Sequence, residues 1–415
     1  MGTRIFRDAA LGSSADPNSP SVRRLGGSYD FPLLLIMIVL LVFGMMMLFS
    51  ASWDFSYQIN NGDAMYMFNR QLLWLAIGLV LAILLSRIDY HRWRNFSVPI
   101  MIFTISLLAL VLFVNEIRLG AVRALLGGSI QPSELAKVVT IIYLSVWIHS
   151  KREQLHEIQW GLMPLAVILG VVGGLIYIQP DLSATATIFL LGGLLFFLGG
   201  GEIKQIAILL VVAVVVGILV VKISPTGQAR VGAYVSGIQD PTKASYHVLR
   251  SFEAIVKGGV FGVGIGRANT KFTGLPVPPT DSIFAVIAEE LGLIGAIGTV
   301  LLYLLFIWRG LRIANRAPDM LGSLLASGLT FWIATEAIVN ILVMVGLLPF
   351  AGNALPFISS GGSNLVASLA AVGILLSVSR QAEPLAEADE WRNFGASINL
   401  RGRNRRRSLS RISRS

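Results

Sequence analysis

The sequence predicts an all-α polytopic membrane protein of about ten transmembrane helices, and three observations carry that expectation. Of its 415 residues, 54% are apolar and only 13% charged, where a soluble domain carries about 25% charge, and the mean hydropathy is +0.72. The apolar residues fall into runs close to the ~20 residues a helix needs to cross a bilayer, not into the alternating ~10-residue strands of a barrel. Lys and Arg collect in every second inter-run loop, the pattern of cytoplasmic loops. A soluble globular protein is excluded. With no cysteine, disulfides, thiolate metal sites and cysteine nucleophiles are excluded as well.

Residues 1–30 are polar, with Arg4, Arg7, Arg23 and Arg24, and read as a disordered cytoplasmic tail. The first apolar run, Phe31 to Ala51, is too long for a cleaved signal core and reads as an uncleaved first span. Further spans are expected at 68–86, 97–114, 133–149, 161–178, 183–199, 203–222, 282–308, 322–347 and 363–380. With the N-terminus inside, the inner loops hold Arg87, Arg92, Arg94, Lys151, Arg152, Lys204, Arg309, Arg312 and Arg316. The short outer loops then hold only Arg70, Arg118 and Arg123. Both termini are therefore expected in the cytoplasm, which requires an even number of spans. A long outer loop, 223–281, separates the seventh and eighth spans. It contains an amphipathic helix pattern with Tyr246, Leu249, Phe252 and Val256 on one face and is expected to form an ordered cap. Residues 31–380 thus make one membrane domain, followed by a basic cytoplasmic tail, 381–415. Within that tail Arg401 to Ser415 contributes seven arginines toward a net charge of +10. No base-reading motif accompanies it, so anionic lipid, and no nucleic acid, is its expected partner.

In this topology every even-numbered span starts at the outer face, and there the polar residues gather. The fourth opens with Gln131-Pro132-Ser133-Glu134-Leu135-Ala136-Lys137 and the sixth with Gln179-Pro180-Asp181-Leu182-Ser183. The eighth opens with Pro279-Thr280-Asp281-Ser282 and the tenth with Ile358-Ser359-Ser360-Gly361-Gly362-Ser363-Asn364. Ser133, Asp181 and Ser363 each serve equally as ordinary helix caps. Glu134 and Lys137 are harder to explain that way. They share one helix face inside a span, where an ionised group costs about 2.5–3.5 kcal/mol, so they form either a structural ion pair or a site. Gathered helix N-termini suit an anionic, phosphate-rich ligand. Arg123, Arg230, Arg250, Lys257, Arg267 and Lys271 add positive charge, either to that ligand or as solvated loop charges.

Glu289, Glu290 and Glu336 lie within the eighth and ninth spans. On a helix, Glu289 falls about 80° and Glu290 about 180° from Asp281, so the three cannot face one cleft. Buried glutamates that hold the bundle together are the expected reading, with a proton relay as the alternative. Gly262-Val263-Gly264-Ile265-Gly266 lacks the strand, helix and acid of a dinucleotide fold. No Walker A motif is present. His91, His149, His156 and His247 are scattered without metal-ligand spacing.

The segments QPSELAK at Gln131, QPDLSAT at Gln179, AIVKGGVFGVGIG at Ala254, PTDSIFAVIAEELGLIG at Pro279 and GLLPFAGNALPFISSGGSN at Gly346 resemble, in order, the SEDS family of shape, elongation, division and sporulation proteins, to which FtsW and RodA belong. The resemblance implies a ten-span peptidoglycan glycosyltransferase that polymerises lipid II beside a class B penicillin-binding transpeptidase and other divisome or elongasome membrane proteins. It places the family's essential aspartate on Asp281, its paired polar residues on Glu134 and Lys137, and implies a divalent cation, magnesium or manganese. Substrate-binding or supporting roles then fall to Gln131, Ser133, Arg123, Asp181, Lys271, Ser359, Gly361, Gly362 and Ser363. The chain departs from the family where Leu275-Pro276-Val277-Pro278-Pro279-Thr280-Asp281 lacks the usual Glu and His. Ser360, Ala124 and Ser183 replace a usual Tyr, Trp and Gly. The expected activity is inverting glycosyl transfer with Asp281 as general base. A lipid II flippase and a non-catalytic scaffold for the transpeptidase are the alternatives.

Overall fold

The computed structural model describes residues 29–114 and 131–381. The tails before and after these limits, and Arg123, lie outside the described residues. The described residues form helices and turns without a strand. The helices are α1 (Phe31–Ile59), α2 (Tyr66–Arg87), α3 (Trp93–Val114), α4 (Pro132–Ser150), α5 (Met163–Ile178), α6 (Leu182–Leu198), α7 (Ile203–Ile223), α8 (Pro225–Gln239), α9 (Tyr246–Gly258), α10 (Ile283–Arg316), α11 (Met320–Met344) and α12 (Gly362–Gln381). Each of the ten expected spans overlaps one of these helices. Eight of the described helical stretches are long and apolar enough to cross a membrane, whereas α6 is short. The helix α4 falls below that mark because it carries Glu134 and Lys137, and it lies almost wholly inside the bundle.

Helix starts follow local chemistry. Asp30, Asp181, Ser224, Ser245 and Asp319 each accept a backbone N–H in the first turn of the helix they precede, the ordinary N-cap bond. Small residues set the closest packing. A Cβ on Gly373 of α12 would lie 2.6 Å from the Ala82 carbonyl of α2, so these two helices meet backbone to backbone, as small residues permit in membranes.

At one end of the bundle the Asp30 amide donates to Ser379 Oγ (3.3 Å), and Arg309 grips the Asp30 carboxylate through Nη2 (2.6 Å) and Nε (3.2 Å). The first and last described helices therefore enter and leave at the same end. Around it Asp319, at the start of α11, accepts from Tyr90 (2.9 Å) and stands 3.1 Å from the His91 ring.

The long helix α10 is broken at Gly292 (φ 68°, ψ −163°). The glycine-rich segment after α9 enters the break. Leu293 N–H donates to Gly259 O (2.9 Å), Val263 N–H to Glu289 O (3.0 Å) and Gly264 N–H to Glu290 O (2.9 Å). A Cβ on Gly292 would lie 2.4 Å from the Gly262 nitrogen, so both segments of this crossing need glycine. A broken helix survives in a membrane only where protein re-satisfies its backbone, and here Gly262-Val263-Gly264 does so. Ahead of the break, Ile283 to Leu291 forms a half-helix whose start carries Asp281 and Ser282.

The amphipathic pattern at 246–256 does form α9, but with the faces exchanged. Val248, Ser251, Ala254 and Gly258 are buried, while Val256 is 78% exposed. Small residues win the interior because α9 packs tightly on α10: a Cβ on Gly258 would lie 2.0 Å from Ala288 O.

Candidate functional site

The starts of α4, α6, α10 and α12 converge. Gln131 N–H donates to Ser363 Oγ (2.8 Å), joining α4 to α12, and Gln131 Nε2 donates to Asp181 Oδ2 (3.0 Å), joining α4 to α6. Ser133 Oγ reaches the same Asp181 oxygen (3.3 Å), whose other oxygen caps α6 through Ala184 N–H (3.2 Å). Ser359 Oγ donates to Thr280 O (2.6 Å) and Ser360 N–H to Pro279 O (2.7 Å), joining the approach to α12 to the approach to α10. Gly361 N–H donates to Gln71 Oε1 of α2 (3.3 Å). Gly362 packs on Trp74, where a Cβ would lie 2.4 Å from the indole nitrogen. The positive ends of several helices thus face one polar region.

Below these starts lies a buried polar knot. Lys137 Nζ donates to Glu134 Oε1 (2.8 Å) and to Glu336 Oε1 of α11. Asn364 Nδ2 donates to Glu134 Oε2 and Glu336 Oε2, both at 2.9 Å, and Trp332 Nε1 donates to Glu336 Oε1 (2.8 Å). Every carboxyl oxygen of Glu134 and Glu336 accepts from one of these donors. The exposures are 9% for Glu134, 4% for Lys137 and 2% for Glu336. Glu336, Trp332 and Asn364 were not among the expected site residues. Their signal in the sequence was an intramembrane acid and an intramembrane amide, which names no distant partner.

Asp281 stands half-buried at the start of the α10 half-helix. Asn340 Nδ2 donates to Asp281 O (2.9 Å) and to Asn353 O (2.6 Å), and a Cβ on Gly352 would lie 3.4 Å from Asp281 Oδ2. Asn340 lies one helical turn from Glu336 on α11, so one helix face touches both Asp281 and the knot. The preceding loop is sharply bent: Val277 has φ +40°, a left-handed conformation costly for a β-branched residue. Ser282 Oγ donates to Pro276 O (2.8 Å) and holds that bend.

Lys271 stands apart from the converging starts. Its amine donates to Glu290 Oε1 (2.7 Å), Ser50 O (3.0 Å) and Gly266 O (3.3 Å). Lys271, expected to bind substrate or support the site, is paired here with a buried carboxylate. Glu289 accepts the Asn269 (2.9 Å) and Thr270 (3.2 Å) amides. Both glutamates are therefore buried and hydrogen-bonded to the chain between α9 and α10. Among the described residues no three His, Asp or Glu side chains are placed to hold a metal ion, and Val277 and Pro279 bring no donor side chain to Asp281. These residues do not form a protein cage for a divalent cation.

Fold and site together define a helical, multi-pass membrane protein with a polar centre built from converging helix starts. Residues 31–384 match the family of cell cycle proteins that comprises FtsW, RodA and SpoVE. The chain belongs to that family. It is 38% identical to FtsW of Trichlorobacter lovleyi, named a probable peptidoglycan glycosyltransferase, over 85% of this chain and 93% of that one. It is 36% identical to stage V sporulation protein E of Bacillus subtilis, over 85% and 97%. Among solved structures it resembles a chain of a peptidoglycan synthase complex that coordinates polymerization and crosslinking (27% identity, TM-score 0.71, covering 85% and 98%). It also resembles the rod shape determining protein RodA of Thermus thermophilus (25% identity, TM-score 0.63, covering 86% and 98%).

Proposed function

We propose that this protein is a peptidoglycan glycosyltransferase that polymerises lipid II into β-1,4 glycan strands, with Asp281 as general base. The names of its relatives support the reaction class. The observation that carries the residue assignment is the placement of Asp281, half-buried at a half-helix start and tied through Asn340 to the helix face that bears Glu336. In the proposed step the Asp281 carboxylate takes the proton from the 4-hydroxyl of the acceptor N-acetylglucosamine. The freed oxygen attacks the anomeric carbon of the donor's N-acetylmuramic acid from the face opposite the leaving group. The C–O bond to undecaprenyl diphosphate breaks, its electron pair leaves with the diphosphate, and an α-linked donor becomes a β-linked product. The starts of α4, α6 and α12 offer positive helix ends to the departing diphosphate. Glu134, Lys137, Glu336 and Asn364 hold those starts in register.

The proposed topology counts α4 and α6 with the eight apolar helices to give ten crossings. The shared end of α1 and α12 supports an even number. The arginine bias then puts both termini in the cytoplasm, and the convergent helix starts and the 223–281 cap on the outer face of the bacterial cytoplasmic membrane. A class B transpeptidase is the proposed partner, supported by the likeness to a synthase complex that also crosslinks.

The test is lipid II polymerisation by purified protein, alone and with its transpeptidase, in magnesium, manganese or chelator. Asp281→Asn at equal folded amounts is expected to lose about 10²–10⁴-fold. Undiminished chains from Asp281→Asn would overturn the base assignment. No chains from folded wild-type complex under any ion condition would favour the scaffold, or the flippase if lipid II then crosses vesicles.

A further inference from the structure

The loop between α11 and α12 forms one wall of the Asp281 carboxylate through Gly352, and Asn340 bonds both Asn353 O and Asp281 O. Its opposite side is gripped by the cap. From α8, Tyr234 OH donates to Leu347 O (2.8 Å) and Arg230 Nη1 to Ala351 O (3.4 Å). From α9, the His247 ring stacks on Phe350 with centroids 3.9 Å apart and planes at 21°, and the Arg230 guanidinium lies 5.7 Å from the Phe350 centroid.

Two features mark this stack as one of the contacts that fix the loop. A cavity of about 170 Å³ opens beside Phe350, lined also by Arg230, Tyr234, Val248 and Phe252, so the ring is not confined on every side. His247 Nδ1 is buried without a hydrogen-bond partner among the described residues, so its face makes the contact. Burial, and then the charge of Arg230, hold the imidazole below its ordinary pKa, which keeps it neutral at neutral pH. A neutral ring stacks on an aromatic face beside a guanidinium without like-charge repulsion.

We propose that Phe350, held by the His247 ring of α9 and the Arg230 guanidinium of α8, is a positioning residue for Asp281. The clamp sets the loop that carries Gly352 and Asn353, so the cap and the aspartate move as one body. This inference rests on the assignment of Asp281 as base. It makes α8 and α9 part of the geometry of the catalytic centre, although neither supplies a group to the reaction.

The experiment compares Phe350→Ala, Phe350→Trp, His247→Ala and His247→Phe in the full-length protein. It reads kcat and KM for lipid II together with hydrogen–deuterium exchange of residues 345–353. Phe350→Ala and His247→Ala are expected to lower kcat about 10- to 100-fold, the scale of a small misplacement of reacting groups, with KM little changed and faster exchange confined to 345–353. Phe350→Trp and His247→Phe keep an aromatic face and are expected to restore both readouts. Unchanged kcat in Phe350→Ala, or equal loss in His247→Ala and His247→Phe, would overturn the clamp. Phe350→Leu serves if the alanine variant does not fold. Full activity in Asp281→Asn would defeat the base assignment itself. An essential Asp281 beside a fully active Phe350→Ala would defeat the clamp alone.

Discussion

Two buried lysines in this protein sit among carboxylates, and they differ in how their charge is met. Lys271 faces one acid, Glu290, and completes its shell with the carbonyls of Ser50 and Gly266. Lys137 faces two acids from different helices, Glu134 and Glu336, which also share Asn364. The first arrangement ties the loop that carries Lys271, and Ser50 of α1, to the helix break. The second joins three helices immediately below the converging starts, with one more acid than base. A one-to-one pair capped by backbone carbonyls has the form of a structural staple, whereas the knot around Lys137 couples helices whose ends line the proposed site.

Lys271→Met gives the largest stability effect, because it strands Glu290 in a site where that residue is 0% exposed. Breaking a buried pair costs about 3–5 kcal/mol, while replacing both partners with apolar groups is close to neutral. Thermal unfolding in detergent should show a large fall for Lys271→Met and recovery in Lys271→Met with Glu290→Leu, with turnover per folded molecule retained in the double variant. Loss of turnover in a stable double variant would break the contrast between the two lysines.

Glu134→Gln is expected to do the opposite. The amide oxygen still accepts from Lys137, but its NH2 now faces the Asn364 amide that donated to the lost oxygen, so the stability change is about 1–3 kcal/mol, the scale of one buried donor left unsatisfied, while polymerisation falls by about tenfold or more, equivalent to about 1.4 kcal/mol. If folded yield falls and turnover per molecule does not, the Lys137 knot is a second staple.

The smallest effect belongs to Asp89, at the opposite end of the bundle. Burial raises its pKa, but hydrogen bonds from Gln381 and from the His91 backbone and ring outweigh it and hold the carboxyl at about 2 against an ordinary 3.8. A carboxyl with a depressed folded pKa stabilises above its unfolded value and loses that contribution as pH falls toward the folded one. Asp89→Asn should therefore unfold slightly more easily than wild type at neutral pH, with the gap closing as pH falls from 3.8 toward 2. A gap independent of pH would show that the Asp89 carboxylate charge has no part in it.

Much of this was legible in the chain. Apolar runs marked the helices, and Pro, Ser and Asp at Pro132, Asp181 and Ser282 marked where three of the polar starts lie. The i, i+3 spacing of Glu134 and Lys137 gave their contact directly. The glycine pattern at 262–266 was visible too, and only its use was hidden, because a helix break and the segment that fills it come from separate parts of the chain.

What the sequence determined by itself is therefore local: hydropathy over about 20 residues, caps, and helix faces set by 3.6 residues per turn. The tertiary structure decided which buried charge met which. Glu336 came to Lys137 across 199 positions and Asn364 to Glu134 across 230, while Lys271 met Glu290. The same reason reversed the expected face of α9. In an interior where an unpaired charge costs several kcal/mol and a methyl group can be too large, partners are fixed by which backbones approach closely enough, and that is a property of the packed bundle, not of any one segment.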